Sequence, residues 1–265
     1  MLKAILYYLL LIAEFLITII LCGLVVGMYM SVAMQTGYYG KNEQAFANAT
    51  FPIMVGFLLV SILIIWGTFG YYKFSKFSLG KVQPAAKWKT MLYTTLPKFG
   101  FTLAFYAFME LFHIKFLPKE MTEMKYTIFL PYAFFGSFLS AYVFYGAIQE
   151  ELIKSGKKLW VQMLTLCIMM LPACAMVVTS EGDVSLHFTI IGMISTLYAC
   201  WVYEKTRSTI ILLVVYLLPN FIPFTTGSVP LSIALLVVGI ALTIYGGITV
   251  KKKLPEMLEE KDEDE

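Results

Sequence analysis

The stretch AILYYLLLIAEFLITIILCGLVVGMYMSVA, residues 4–33, decides the fold class. Its thirty residues carry one charge, Glu14. A helix of that length rises ~45 Å, more than the roughly 30 Å of a bilayer's hydrocarbon core. A barrel strand would instead alternate polar and apolar residues over about ten positions, and this run does not. A helix also satisfies its own backbone hydrogen bonds, which lipid demands. The run is about twice the length of a signal-peptide core, so it reads as a retained helix.

The whole chain follows the same pattern. Hydrophobic residues make up 59% of its 265 positions and charged residues 14%, with a mean hydropathy of +0.77. Soluble domains have roughly 45–50% and about 25%. Apolar runs at 4–33, 51–71, 91–113, 127–148, 160–178, 186–203, 209–224 and 230–249 predict eight transmembrane helices. The expected class is all-α: a polytopic, multi-pass integral membrane protein whose bundle fills 1–250, followed by a charged tail at 251–265. Its surroundings are the lipid bilayer, and nucleic acid is not expected as a partner.

Lysine placement sets the orientation. With the N-terminus cytoplasmic, the loops 72–90, 149–159 and 204–208, the tail, Lys3 and Lys98 hold 16 of the 20 Lys and Arg residues. The opposite loops hold Lys41, Lys115, Lys119 and Lys125. Both termini are therefore expected in the cytoplasm. Cys22, Cys167, Cys174 and Cys200 fall in apolar runs without a CxxC pair and read as packed thiols.

Ionisable residues inside such runs are costly, and each marks a possible site. Glu14 is either bonded within the bundle or part of a proton or ion relay, and with it a small transporter is one functional reading. In FMELFH, Glu110 and His113 are three apart, placing them on one helical face. Glu181, Asp183 and His187 of TSEGDVSLH lie at the same expected level. Glu110, His113 and His187 are thus candidate ligands for a divalent metal, although such residues also collect where water is.

Two further stretches carry a motif. AIQEELIKSG, 147–156, places Glu150 and Glu151 where an apolar run meets lysines. WVYEKTRSTIILLVVYLLPN, 201–220, ends one run at a basic turn and opens the next with Tyr216 and Asn220 four apart. Read alone, the glutamates suit a solvated helix end, and Asn220 beside Pro219 suits a residue that satisfies carbonyls freed by a proline break.

Together the two stretches resemble the CPBP family, the type II CAAX prenyl endopeptidase-like (Abi) intramembrane metalloproteases. That family carries EExxxR, then FxxxH, then HxxxN, the last preceded by a segment much like WLYLRTGSLWAPILAH. Trp201, Tyr203, Thr206 and Ser208 fall in register with that segment, and Asn220 on the final Asn. EELIKSG matches EELIFRG at Glu150, Glu151, Leu152, Ile153 and Gly156. The resemblance covers about 125–225. It implies a multi-pass protein of a bacterial cytoplasmic membrane and, for an active member, zinc, with Glu150 activating water, Glu151 beside it and Asn220 on the oxyanion side.

The chain departs from the motif at its histidines. Tyr216 stands at one and Cys174 at another, with His187 as a rival, while Ser155 replaces the arginine and Lys154 is a shifted cation. A phenol is a poor zinc ligand because it must first lose its proton. The expected function is therefore a degenerate family member, whose cavity binds another membrane protein or a hydrophobic peptide as scaffold, regulator or immunity factor. An active, divergent metalloendopeptidase using zinc is the alternative.

Overall fold

A computed structural model describes residues 1–35, 78–114, 134, 136–178, 182–222 and 228–258, with backbone only over 172–178, 182–188 and parts of the first helix. The described residues are helical, with one isolated backbone bridge and no strand. The helices are α1 (Leu2–Gln35), α2 (Lys87–Leu111), α3 (Glu150–Lys154), α4 (Leu159–Val178), α5 (Gly182–Thr206), α6 (Thr209–Leu217) and α7 (Val229–Lys253). A π-helix, Ser140–Gln149, runs directly into α3. Helix therefore occupies the described parts of the expected runs, while 51–71 lies outside the described residues.

Among the described residues, two stretches, Leu2–Val25 and Val229–Lys253, are long and apolar enough to cross a membrane. Leu159–Leu171 and Thr209–Phe221 are shorter apolar helices. Helix α2 is less apolar for a visible reason: Thr90, Thr94, Thr95, Lys98 and Thr102 are all buried within the bundle.

The π-helix forms the centre of the core, with 141–149 buried throughout. It packs against α1, α4, α5 and α6. Its wider winding is rare and is frequently met at functional sites. Around it, Tyr8 donates to the Met169 carbonyl at 2.7 Å, and Tyr198 donates to the Thr94 carbonyl at 2.6 Å. These bonds tie α1 to α4 and α5 to α2. Gln149, fully buried, donates to Gln162 Oε1 and to the Cys200 carbonyl, both at 2.9 Å, linking the π-helix to α4 and α5. Cys200 is a buried free thiol, as a packed cysteine should be.

Helices α2 and α7 pair along glycines. A Cβ on Gly239 would lie 2.5 Å from the Ala104 nitrogen, and one on Gly246 would lie 2.8 Å from the Pro97 nitrogen. Pro97 carries no amide hydrogen, so its backbone tolerates this approach inside a helix. An apolar groove of about 300 Å³ follows the seam, lined by residues such as Phe101, Phe105, Leu236 and Ile240. Lys251, Lys252 and Lys253 end α7, where cations complement the helix dipole.

The chain does not leave the bundle at residue 251. Leu254 and Met257 are buried, and Val82 bridges Leu258. Gln83 adds a backbone bond to the Met257 carbonyl and a side-chain bond to the Leu258 carbonyl, both at 3.1 Å. The charged run beyond, 259–265, is outside the described residues.

Candidate functional site

The polar residues of interest line up across the core. Glu150 opens α3 at the end of the π-helix, and its Oε2 accepts from Arg207 Nη1 at 2.8 Å and from the Tyr203 hydroxyl at 3.1 Å. The Tyr203 ring stands 6.4 Å from that of Tyr145, which stands 5.9 Å from Tyr216. The hydroxyls of Tyr145 and Tyr216 share a hydrogen bond of 2.6 Å. On the far side, Lys98 Nζ sits 3.3 Å from the centroid of the Tyr216 ring. The order is Arg207, Glu150, Tyr203, Tyr145, Tyr216, Lys98: a ladder of phenols with a cation at each end.

Local structure explains each position. One helical turn and a little more separate Tyr145 from Glu150, and the π-helix aims them at α6 and at the end of α5 respectively. Arg207 sits between α5 and α6 with φ 51, a left-handed conformation uncommon outside glycine. Ser208 then caps α6, its Oγ accepting from the Ile211 amide at 3.2 Å. The same Oγ donates to the Ser78 carbonyl at 3.0 Å, and the Lys81 amide donates to the Thr206 carbonyl at 2.7 Å. The 78–81 loop thus clamps the turn that presents Arg207.

The sequence candidates fare unequally. Glu150 and Tyr216 join one ladder, but Tyr145 and Tyr203 stand between them. Glu151 lies beside the ladder rather than in it, with Lys154 Nζ 3.6 Å from its Oε1. Lys154 is therefore not the cation of Glu150; Arg207 is. Asn220 donates to the Tyr216 carbonyl at 2.9 Å and to Ser137 Oγ at 3.4 Å. It sits in a 3-10 turn that opens at Leu218 and contains Pro219, so its amide satisfies a carbonyl one turn back from the proline break. The side chains of Cys174 and His187 lie outside the described residues.

The pairing of Glu110 with His113 on one helical face needs correction. Helix α2 ends at Leu111, and His113 lies beyond it with φ 53, so the i, i+3 relation of a continuing helix does not hold. Glu110 instead accepts from Ser232 Oγ at 2.9 Å, tying α2 to α7. Among the described residues no three His, Cys, Asp or Glu side chains gather as a metal site.

The ladder itself does not suit a divalent cation. A guanidinium occupies the Glu150 carboxylate, and an ammonium covers the Tyr216 ring. Zinc bound between them would face two positive charges and phenols that must ionise to bind it.

Sequence reasoning passed over three residues. Arg207 and Lys98 enter the sequence reading only among the cytoplasmic-side cations, and Tyr145 is not singled out. One signal was available: Arg207 falls at the glycine of WLYLRTGS in the register above, where a left-handed residue is to be expected.

The Glu150–Arg207 pair is three-quarters buried, its side chains being 24% and 22% exposed. Removing one partner leaves the other charge partly desolvated, which costs roughly 1–3 kcal/mol here, below the 3–5 kcal/mol of a fully buried pair. Glu150→Gln and Arg207→Met should each lower the melting temperature by several degrees. The double variant should melt no lower than the worse single one, because the charges couple. Additive losses in a thermal-melt cycle would show that the pair is incidental.

No family model, no curated protein and no solved structure matches the chain.

Proposed function

We propose that the chain is an eight-helix integral membrane protein with cytoplasmic termini, a degenerate relative of the CPBP metalloproteases. Its inherited cleft binds a membrane protein or hydrophobic peptide without hydrolysing it. The observation carrying this reading is that both halves of the resembling motif are closed by the chain's own side chains. Arg207 and Tyr203 hold the carboxylate that would activate water, and Tyr145 and Lys98 hold the phenol standing at the histidine position.

The membrane part is supported by where the apolar residues point. Only 20% and 22% of the apolar windows in Leu2–Val25 and Val229–Lys253 are buried. A core helix of a soluble protein would be mostly covered, whereas these present Leu9, Leu16, Ile20, Val237, Ile244 and Ile248 outward. A hydrocarbon surround makes that exposure favourable. The family part is supported by the backbone. Gly156 has φ 68 and Arg207 φ 51, and the two fall at the glycines of EELIFRG and WLYLRTGS.

Co-purification from native membranes after mild cross-linking tests the reading, with zinc content measured on the same samples. Glu150→Gln should retain a stoichiometric membrane partner of unchanged mass. Asn220→Trp, which crowds Ser137 and the Tyr216 carbonyl, should lose it. Stoichiometric zinc, together with partner cleavage that Glu150→Gln abolishes, would replace this reading with the metalloendopeptidase.

A further inference from the structure

The groove along the α2–α7 seam takes no part in the ladder. Phe101, Phe105 and Phe108 wall it on α2, and Leu236, Ile240 and Ile244 on α7. Phe108, Ile240 and Ile244 are 40%, 47% and 58% exposed, so it opens sideways, away from the bundle. Thr243 also lines it, but its hydroxyl donates to the Gly239 carbonyl at 2.7 Å within α7. The side-chain donor of the lining is therefore already engaged, and a ligand would meet carbon.

Size decides what fits. A helix is about 10–12 Å across, so even a 10 Å length of one fills roughly 800 Å³. The groove holds about 300 Å³. An unbranched acyl chain can lie in it, whereas a helix could only rest on its rim.

The groove leads to cations. Lys251 lies eleven residues past Ile240, about three helical turns, and Lys87 eighteen residues before Phe105, about five turns. Both continue the faces of α7 and α2 that wall the groove. On α7 the path between runs over Gly247, where a Cβ would meet nothing within 4 Å. From Ile244 to Lys251 the rise is ~10 Å. Lys89, Lys251 and Lys252 are exposed. Trp88 is exposed as well, and Lys87 Nζ stands 5.2 Å from the centroid of its ring. An exposed tryptophan among lysines suits the boundary of a membrane.

We propose that this seam seats an anionic phospholipid, with one acyl chain in the groove and the phosphodiester against Lys251 and Lys87. The seat rests on the membrane reading above. Lysines at the cytoplasmic surface favour an anionic headgroup over a zwitterionic one, because a choline would set a third cation beside theirs.

Native mass spectrometry of the full chain in mild detergent tests the seat, by separate titration with dioleoyl phosphatidylglycerol and dioleoyl phosphatidylcholine. The chain should retain one phosphatidylglycerol at least about tenfold more tightly than phosphatidylcholine, a difference of ~1.4 kcal/mol. Lys87→Gln combined with Lys251→Gln should erase that preference. Ile240→Trp, which fills the groove from its exposed rim, should weaken both lipids at least about tenfold. Ile248→Trp, exposed but outside the lining, should change neither. Melting temperatures without added lipid should stay near that of the wild type and serve as the folding control. Equal retention of the two lipids, a preference that survives the lysine pair, or binding that Ile240→Trp leaves intact would each overturn the seat. A preference that emerges only after removal of the acidic run 259–265 would overturn it too, because that run would then cover the lysines. A dimer that Ile240→Trp breaks, with no lipid retained, would give the groove to a second copy of the chain. Fractionation keeps the two readings apart: a chain that pellets with membranes yet retains no phosphatidylglycerol overturns the seat alone.

Discussion

Gly246→Leu is expected to lower the melting temperature by about 10 °C or more, whereas Gly247→Leu, one residue on, should leave it nearly unchanged. The two glycines differ only in what surrounds them. A Cβ on Gly246 would meet the Pro97 nitrogen at 2.8 Å, Pro97 Cδ at 2.9 Å and Leu96 Cβ at 3.0 Å. A Cβ on Gly247 would meet nothing within 4 Å. The crowded neighbours are backbone and ring atoms that cannot rotate aside, so the whole helix pair must separate. Overpacking typically costs about 1–3 kcal/mol, and a fixed backbone obstacle places this case at the upper end or above. Gly239→Leu should behave like Gly246→Leu. It lies seven residues away on the same stripe, where a Cβ on Gly239 would lie 2.7 Å from the Gly100 carbonyl oxygen, and one on Gly100 2.7 Å from that of Gly239. In the membrane setting proposed above, close approach of small residues replaces the hydrophobic drive that water supplies elsewhere. A fluorescence melt of the three variants beside the wild type is sufficient. Similar losses at 246 and 247 would remove the seam as the basis of α2–α7 pairing.

The sequence made the helices legible because their signal is one-dimensional. A run such as 4–33 needs no partner to be recognised, and α1, α4 and α7 begin and end within a few residues of the apolar limits. What the runs conceal is which side of a helix faces inward. Glu150 looked like a solvated helix end because lysines follow it, yet it turns back into the core toward Arg207, fifty-seven residues on. No local pattern records that distance. The winding of 140–149 was equally hidden, since Tyr142, Phe144 and Tyr145 suit a core helix of any pitch. Asn220 was half legible: the adjacent proline explained its bond to the Tyr216 carbonyl, but not its placement near Ser137. The bridge of Val82 to Leu258 joins two segments that each read as polar connectors. Only the folded bundle brings them together.

Gly80 controls the ladder from outside it. Its φ is 63, and a Cβ there would fall on the backbone of Thr206 and Arg207, with both carbonyl oxygens among the nearest atoms. Gly80→Ala therefore carries two costs. Left-handed backbone costs a non-glycine residue about 1–2 kcal/mol, and the methyl must also displace the turn between α5 and α6. That turn is fastened by the Lys81 amide to the Thr206 carbonyl and by Ser208 Oγ to the Ser78 carbonyl. Moving it releases Arg207 from φ 51 and its guanidinium from Glu150. Gly156→Ala is the control, because Gly156 has φ 68 but open space around it. It should lose only the backbone part, roughly 2–8 °C, against about 10 °C or more for Gly80→Ala. The decisive comparison is with Arg207→Met. If Gly80 holds the arginine in place, Gly80→Ala already forfeits the Glu150–Arg207 coupling, and adding Arg207→Met should lower the melt no further. A full additional loss would mean that the loop stabilises the turn without positioning the arginine. The ladder's outer cation would then be held by α5 alone.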